Sequence, residues 1–190
     1  MSKEYHQEKK FLKTDYSTSG FKTGEYENCA FENCNFSETD LSGNRFSECT
    51  FNGCNLSMAK LAKTSFIDIT FKECKLMGLH FENCNDFLFS VDFENCNLNF
   101  SSFYKRKLKK TRFKNCSLQE ADFTESDLSY AIFDNCDLLR ASFEMTVLEK
   151  TDFTTAFNYS IDPEMNRMKK AKFSREGIIG LLDKYDIEIE

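Results

Sequence analysis

Large apolar residues recur at every fifth position through most of this chain. The series runs Phe11, Tyr16, Phe21, Tyr26, Phe31, Phe36, Leu41, Phe46, Phe51, Leu56, Leu61, Phe66, Phe71, Leu76 and Phe81. It resumes at Leu88, Phe93, Leu98, Phe103, Leu108, Phe113, Leu118, Phe123, Leu128, Phe133, Leu138, Phe143, Leu148 and Phe153. A period of five fits neither an α-helix at 3.6 residues per turn nor a strand at 2. It fits a chain that turns a corner every five residues. Two places before the bulky residue the chain prefers a small one, as at Cys34, Cys54, Ala59, Thr64, Ser101, Ala121 and Thr151. One bulky and one small inward side chain per corner fill a narrow tube without overpacking.

A coarser period lies on top of the first. The phrase Phe-x-x-Cys-x-Leu/Phe starts at Phe31, Phe51, Phe71, Phe93, Phe113 and Phe133, in steps of twenty except for one of twenty-two after Phe71. Repetition at this length marks a stacked architecture. Four corners close one coil, and successive coils pair at about 4.8 Å. Residues twenty apart then form columns: Phe11, Phe31, Phe51, Phe71, Phe93, Phe113, Phe133 and Phe153 in one, with offset ring contacts, and Cys34, Cys54, Cys74, Cys96, Cys116 and Cys136 in another. The columns stay in register only if two residues near Asn85-Asp86-Phe87 bulge outward.

The 190 residues suffice for one domain with a small appendage. A formal charge of -6 gives no reason to expect direct nucleic-acid binding. Residues 1–10 contain no apolar run and do not read as a signal peptide. No stretch approaches the roughly 20 apolar residues of a membrane helix, so a cytoplasmic protein with reduced thiols is expected. The nine cysteines, an odd number, agree with free thiols. Each occupies a slot that Ala, Ser or Thr fills elsewhere, which marks it as a small buried plug. Stacked thiols also have poor geometry for disulfides. With no CxxC pair and only two His, neither a metal nor a cofactor is expected. No nucleophile–base pair or Gly-rich phosphate loop points to an enzyme.

One slot breaks the pattern. Arg106 stands where a small residue belongs, and a buried Arg needs a partner. Across the bulge the same column offers Cys84 or Asp86, so a buried Asp86–Arg106 ion pair is expected. The alternative is a local distortion that swings Arg106 out to solvent.

The residue just before each bulky one is often Asp or Asn, as at Asn35, Asn55, Asp92, Asn97, Asp122, Asp127, Asp137 and Asp152. Together with the small and bulky positions, this resembles the motif A(D/N)LXX of the pentapeptide-repeat family over residues 11–153. The resemblance implies an all-β fold: a right-handed quadrilateral parallel β-helix. The expected division is a mobile tail over 1–10, about seven coils over 11–158 with the bulge near 85–87, and a helical cap and dimerisation segment over 159–190. Pro163 is expected to start a short helix reaching about Lys170. Ser174 is a plausible N-cap for a helix over 175–185, with an extended tail through Ile187 and Ile189. Ile178, Ile179, Leu181, Leu182 and Tyr185 give that helix a broad apolar face, more than one coil end needs. The face could cap its own coil alone, or cap it and also dimerise.

The segment over 161–189 resembles the tails of the Qnr-type quinolone-resistance and microcin-immunity members, which implies an end-to-end homodimer. Over residues 115–160 nine acids face two bases, a net charge of -7. The simple reading is a solvated surface. The sharper one is an acidic rod of duplex width, with Asp122, Glu125, Asp127, Asp134, Asp137 and Asp152 standing where phosphates would be. The Qnr-type resemblance implies a DNA-mimicking protein that binds a type II topoisomerase, DNA gyrase or topoisomerase IV, and protects it from quinolones or a peptide toxin. The competing expectation is a pentapeptide-repeat scaffold for an unrelated protein partner.

Overall fold

The computed structural model describes residues 4–188. The chain winds into a parallel β-solenoid of about eight turns. One face is a nine-stranded parallel sheet, built in stacking order from Lys10–Leu12, Ala30–Glu32, Thr50–Asn52, Ile69–Lys72, Val91–Glu94, Arg112–Lys114, Ile132–Asp134, Asp152–Phe153 and Lys172–Phe173. A second face begins with a four-stranded sheet of Glu4–Gln7, Gly24–Glu27, Arg45–Ser47 and Ser65–Ile67. The remaining faces are stitched by single parallel bridges such as Asn35↔Asn55, Ser117↔Asp137 and Ser102↔Asp122.

The columns stand in the expected register. Phe11 pairs with Phe31, Phe31 with Phe51, Phe51 with Phe71, Phe71 with Phe93 and Phe93 with Phe113. Neighbouring rings lie nearly parallel, 4.7 Å apart at Phe11–Phe31 and 4.8 Å at Phe113–Phe133. The stack survives the step of twenty-two, where Phe71 and Phe93 are 5.5 Å apart. Corners are closed by residues in the left-handed region. Asn33, Asn95 and Asn115 do this at low cost, but Glu38, Lys105 and Phe100 do it too, with φ of 57°, 57° and 62°. Each non-glycine residue held there costs about 1–2 kcal/mol, and the stacked coils over-determine the conformation.

Several features differ from the sequence reading. Glu4–Gln7, expected within a mobile tail, is a strand in register with Gly24–Glu27, and His6 stacks on Tyr26 at 4.8 Å. His6 lies five before Phe11 and so holds the bulky position of an extra partial coil. At the other end the solenoid runs one coil beyond Phe153. Ile161 and Asn166 are buried, Arg167 bridges Val147, and Phe173 stacks on Phe153 at 5.3 Å. No helix forms over 163–170. The cap is not a single α-helix but two short 3-10 turns, Gly177–Leu181 and Asp183–Tyr185; among the described residues the one α-helical turn is Tyr16–Ser19. Ser174 does accept a hydrogen bond, from the Gly177 N–H at 2.9 Å. Ile189 lies outside the described residues.

The two extra residues sit between Asn85 and Ser90. The Asn85 N–H still bonds to the Thr64 carbonyl, whereas Ser90 N–H bonds to Phe66. Leu88, expected to point inward, is exposed, and Phe89 packs against the core in its stead.

Candidate functional site

The six candidate acids lie in six different columns spread over the four faces, and so around the tube rather than along one side. Asp134 and Asp152 belong to the nine-stranded sheet. Asp137 stacks with Ser117, Asp122 with Ser102, and Asp127 with Lys107; Glu125 closes the corner after Asp122, with φ of 56°.

Most of the Asp positions have a local structural role that the sequence reading did not assign. Asp122 Oδ1 accepts the Thr124 N–H at 2.9 Å, Asp127 Oδ1 that of Ser129 at 3.1 Å, and Asp152 Oδ1 that of Thr154 at 3.0 Å. Asn35 and Asn55 hold Ser37 and Ser57 in the same way. Asp or Asn before the bulky residue therefore ties down the corner that follows, an Asx turn. Asp137 accepts from Gln119 Nε2 and Asn158 Nδ2 at 2.7 and 2.9 Å, and Asp134 from the Thr155 hydroxyl at 3.1 Å.

Bases one coil away compensate part of the acidic half. Lys105 reaches Glu125 at 3.4 Å, Lys109 reaches Asp127 at 3.1 Å, and Lys172 reaches Asp152 at 3.1 Å. Arg140 pairs with Glu120 and Arg167 with Glu149. Burial raises the Asp127 carboxyl, but the Ser129 hydroxyl and N–H together with Lys109 outweigh it and hold it below its usual value. Asp152 is held down against burial in the same way, by Thr154 and Lys172. Such exposed pairs add little stability, but they cancel charge. Among the described residues, Asp122, Asp134, Asp137 and Glu144 have no ion-pair partner.

Arg106 is buried, and Asp86 is its ion-pair partner. The pair is buried on one side only, since the Asp86 side chain is 92% exposed. The guanidinium also donates to the carbonyls of Cys84 and Asn85, each at 3.1 Å. It lies 4.0 Å from the centre of the Phe89 ring. Burial lowers its pKa, opposed by the carboxylates of Asp86 and Glu82.

At the C-terminal end Leu181 packs against the core and Leu182 is half-buried, whereas Ile178, Ile179 and Tyr185 are exposed, as is Ile187. The cap lies flat on Tyr159. A Cβ on Gly180 would stand 2.1 Å from the Tyr159 carbonyl oxygen, and one on Gly177 would stand 2.0 Å from its hydroxyl. Ile161 N–H bonds to the Gly180 carbonyl at 2.8 Å. Lys184 bridges Asp162 and Glu164 at 2.7 and 2.8 Å. Beside the cap, Leu139, Phe157 and Ile179 line a cleft of about 400 Å³.

All nine cysteines are free and buried, and burial pushes the Cys49 and Cys84 thiols up to about 12. Among the described residues no cluster of His, Cys, Asp and Glu is placed to hold a metal ion. No helix there is long and apolar enough to cross a membrane.

A family model described as "Pentapeptide repeat region" matches residues 19–86, 44–123 and 87–156. No curated protein sequence matches the chain. Among solved structures, trypsin-treated QnrB1 carrying R167E, a plasmid-mediated fluoroquinolone resistance protein, aligns over 98% of this chain and 100% of its own at 22% identity, with a TM-score of 0.48. HetL, a pentapeptide repeat protein involved in heterocyst differentiation regulation in the cyanobacterium Nostoc sp. strain PCC 7120, aligns over 91% of this chain and 90% of its own at 15% identity, with a TM-score of 0.43.

Proposed function

The chain belongs to the pentapeptide-repeat family, and on that premise we propose that it is a non-enzymatic, cytoplasmic protein that binds a type II topoisomerase, DNA gyrase or topoisomerase IV, as a mimic of duplex DNA. It would thereby protect the enzyme from a quinolone or a peptide toxin. The observation that carries this reading is the set of four carboxylates, Asp122, Asp134, Asp137 and Glu144, that form no ion pair on a narrow rod, although Lys114 stands beside Asp134 on the neighbouring strand. Carboxylates fixed on a stiff scaffold can answer a surface built to hold phosphates, and such complementarity acts first on association rate and specificity. The exposed apolar residues of the cap, Ile178, Ile179, Tyr185 and Ile187, would join two rods end to end as a homodimer.

The test is a supercoiling assay with purified gyrase, with and without a quinolone. Wild-type protein should raise the quinolone concentration needed for inhibition. The variant D122N/D134N/D137N/E144Q should not, although amide oxygens keep the corner turns intact. Unchanged supercoiling and unchanged drug sensitivity with wild-type protein would reject this reading. They would favour a scaffold for an unrelated protein, a reading supported by the cross-coil ion pairs that neutralise Glu125, Asp127 and Asp152.

A further inference from the structure

The two extra residues of the irregular coil enlarge the corner between Asn85 and Ser90, where a β-turn over 86–89 carries Phe87 and Leu88 at its tip. Turn tips favour Gly, Asn, Asp, Ser and Pro, which solvate well or tolerate unusual backbone angles. This tip has neither property. Phe87 is 65% exposed and Leu88 58%. Leu88 lies in the left-handed region at φ 55°, as do the exposed apolar corner residues Met58, Phe100, Tyr130 and Met145, but among the described corners only here does a second exposed apolar residue stand beside it. Solubility and backbone preference both argue against this dipeptide, and nothing in the core requires it, because Phe89 already fills the inward place.

The turn is also held firmly. Asn85 Oδ1 accepts the Phe87 N–H at 3.0 Å. From the next coil, Arg106 grips the base of the turn through the Cys84 and Asn85 carbonyls and the Asp86 carboxylate, with its guanidinium against the Phe89 ring. A buried Arg in a slot made for Cys, Ser or Thr therefore fixes a pair of exposed apolar side chains in one place. Pre-organised aromatic and aliphatic anchors of this kind carry most of the energy of protein interfaces.

The coil that supplies Arg106 also carries four lysines, Lys105, Lys107, Lys109 and Lys110. Lys105 and Lys109 turn to acids of the following coil. Lys107 and Lys110 are exposed and have no ion-pair partner. We propose that the turn is a protein-docking anchor that inserts Phe87 and Leu88 into an apolar pocket of the partner, and that the pocket is bordered by carboxylates facing Lys107 and Lys110. Resting on the topoisomerase reading, this assigns to the same partner a second contact, opposite in charge to the first and held by burial rather than by mimicry of phosphates.

The experiment measures binding of immobilised protein to purified DNA gyrase. The variant F87S/L88G puts preferred turn residues at the tip, so its melting temperature should equal or exceed that of wild type. Its affinity for gyrase should fall about tenfold or more, as expected for loss of an interface anchor. The variant K107E/K110E should slow association and reverse the salt dependence of that contact. If wild type binds and F87S/L88G binds equally well while still folded, the anchor is rejected and the topoisomerase reading stands. If wild type itself does not bind gyrase, the topoisomerase reading fails and takes the anchor with it.

Discussion

The small slot before each bulky residue is more than a gap to be filled. Cys54 donates its S–H to the Phe31 carbonyl of the preceding coil at 3.3 Å, and Cys74 to that of Phe51 at 3.3 Å. The hydroxyls of Thr64, Thr146 and Thr151 donate to Leu41, Phe123 and Leu128 at 2.8, 2.9 and 2.8 Å. Size alone marks these residues only as plugs. The preference for Cys, Thr and Ser over Ala was a visible sign of a donor, and the inter-coil carbonyl it serves appears only once coils are stacked. Two costs then separate in urea denaturation. Phe93→Ala or Phe113→Ala removes a ring stacked on both sides and should cost about 3–5 kcal/mol. Cys74→Ala loses one weak hydrogen bond and little volume, and should cost about 1 kcal/mol. Cys74→Ser should be milder than Cys74→Ala, because its hydroxyl can replace the S–H bond to Phe51. An alanine variant as stable as the serine one would show that the slot needs only a small side chain.

At the scale of the element, the fivefold rhythm disclosed the tube, its columns and the place of the bulge, because inward residues must repeat wherever coils stack. It lost the last coil where the rhythm is broken by Asn158-Tyr159-Ser160 and Pro163. The signal nonetheless returns, since Met168 and Phe173 lie twenty beyond Leu148 and Phe153. It also lost the first strand, because His6 is not apolar. For the cap, apolar spacing predicts an α-helix, because it cannot reveal that Gly177 and Gly180 bring the backbone flat against Tyr159. This element contains no buried residue and depends on polar clamps. Lys184 holds the Asp162 and Glu164 carboxyls below their ordinary values of 3.8 and 4.5. A carboxyl whose pKa is lowered on folding stabilises above its unfolded value and loses that contribution as pH falls through the lower folded one. Cap docking should thus be constant above about pH 5 and weaken below about pH 4. Amide hydrogen exchange over 177–185 reads this out, normalised to the intrinsic rate at each pH. Gly180→Ala should release the same amides at neutral pH while leaving those of the Phe columns protected. Equal protection of the cap at pH 3 and pH 7 would mean that the clamp does not hold it.

For the whole molecule, the ends differ in kind. Among the described residues, no further strand pairs on the outer side of Glu4–Gln7 or Lys10–Leu12, and Phe11, Tyr16 and Phe21 are half-buried, whereas the C-terminal end carries a cap whose outer side is itself apolar. Ile178 is 46% exposed, Ile179 53%, Tyr185 48% and Ile187 55%. A patch of this composition is stable in water when a second copy covers it, and a two-fold axis lets the same patch serve both partners. Nine stacked layers at about 4.8 Å make each rod roughly 40 Å long, so end-to-end pairing would give about 80 Å with the two acidic halves adjoining at the centre. Pairing would therefore concentrate the uncompensated carboxylates where they act together. Sedimentation equilibrium should find wild-type protein as a dimer at micromolar concentration. Ile178→Asp with Ile179→Asp should give a monomer with an unchanged far-ultraviolet spectrum, because both side chains point away from the core. The monomer should also bind gyrase more weakly than the dimer, since half of the acidic centre is missing. Wild-type protein that sediments as a monomer up to millimolar concentration would leave the outer side of the cap without a partner copy, and each acidic half would then have to act alone.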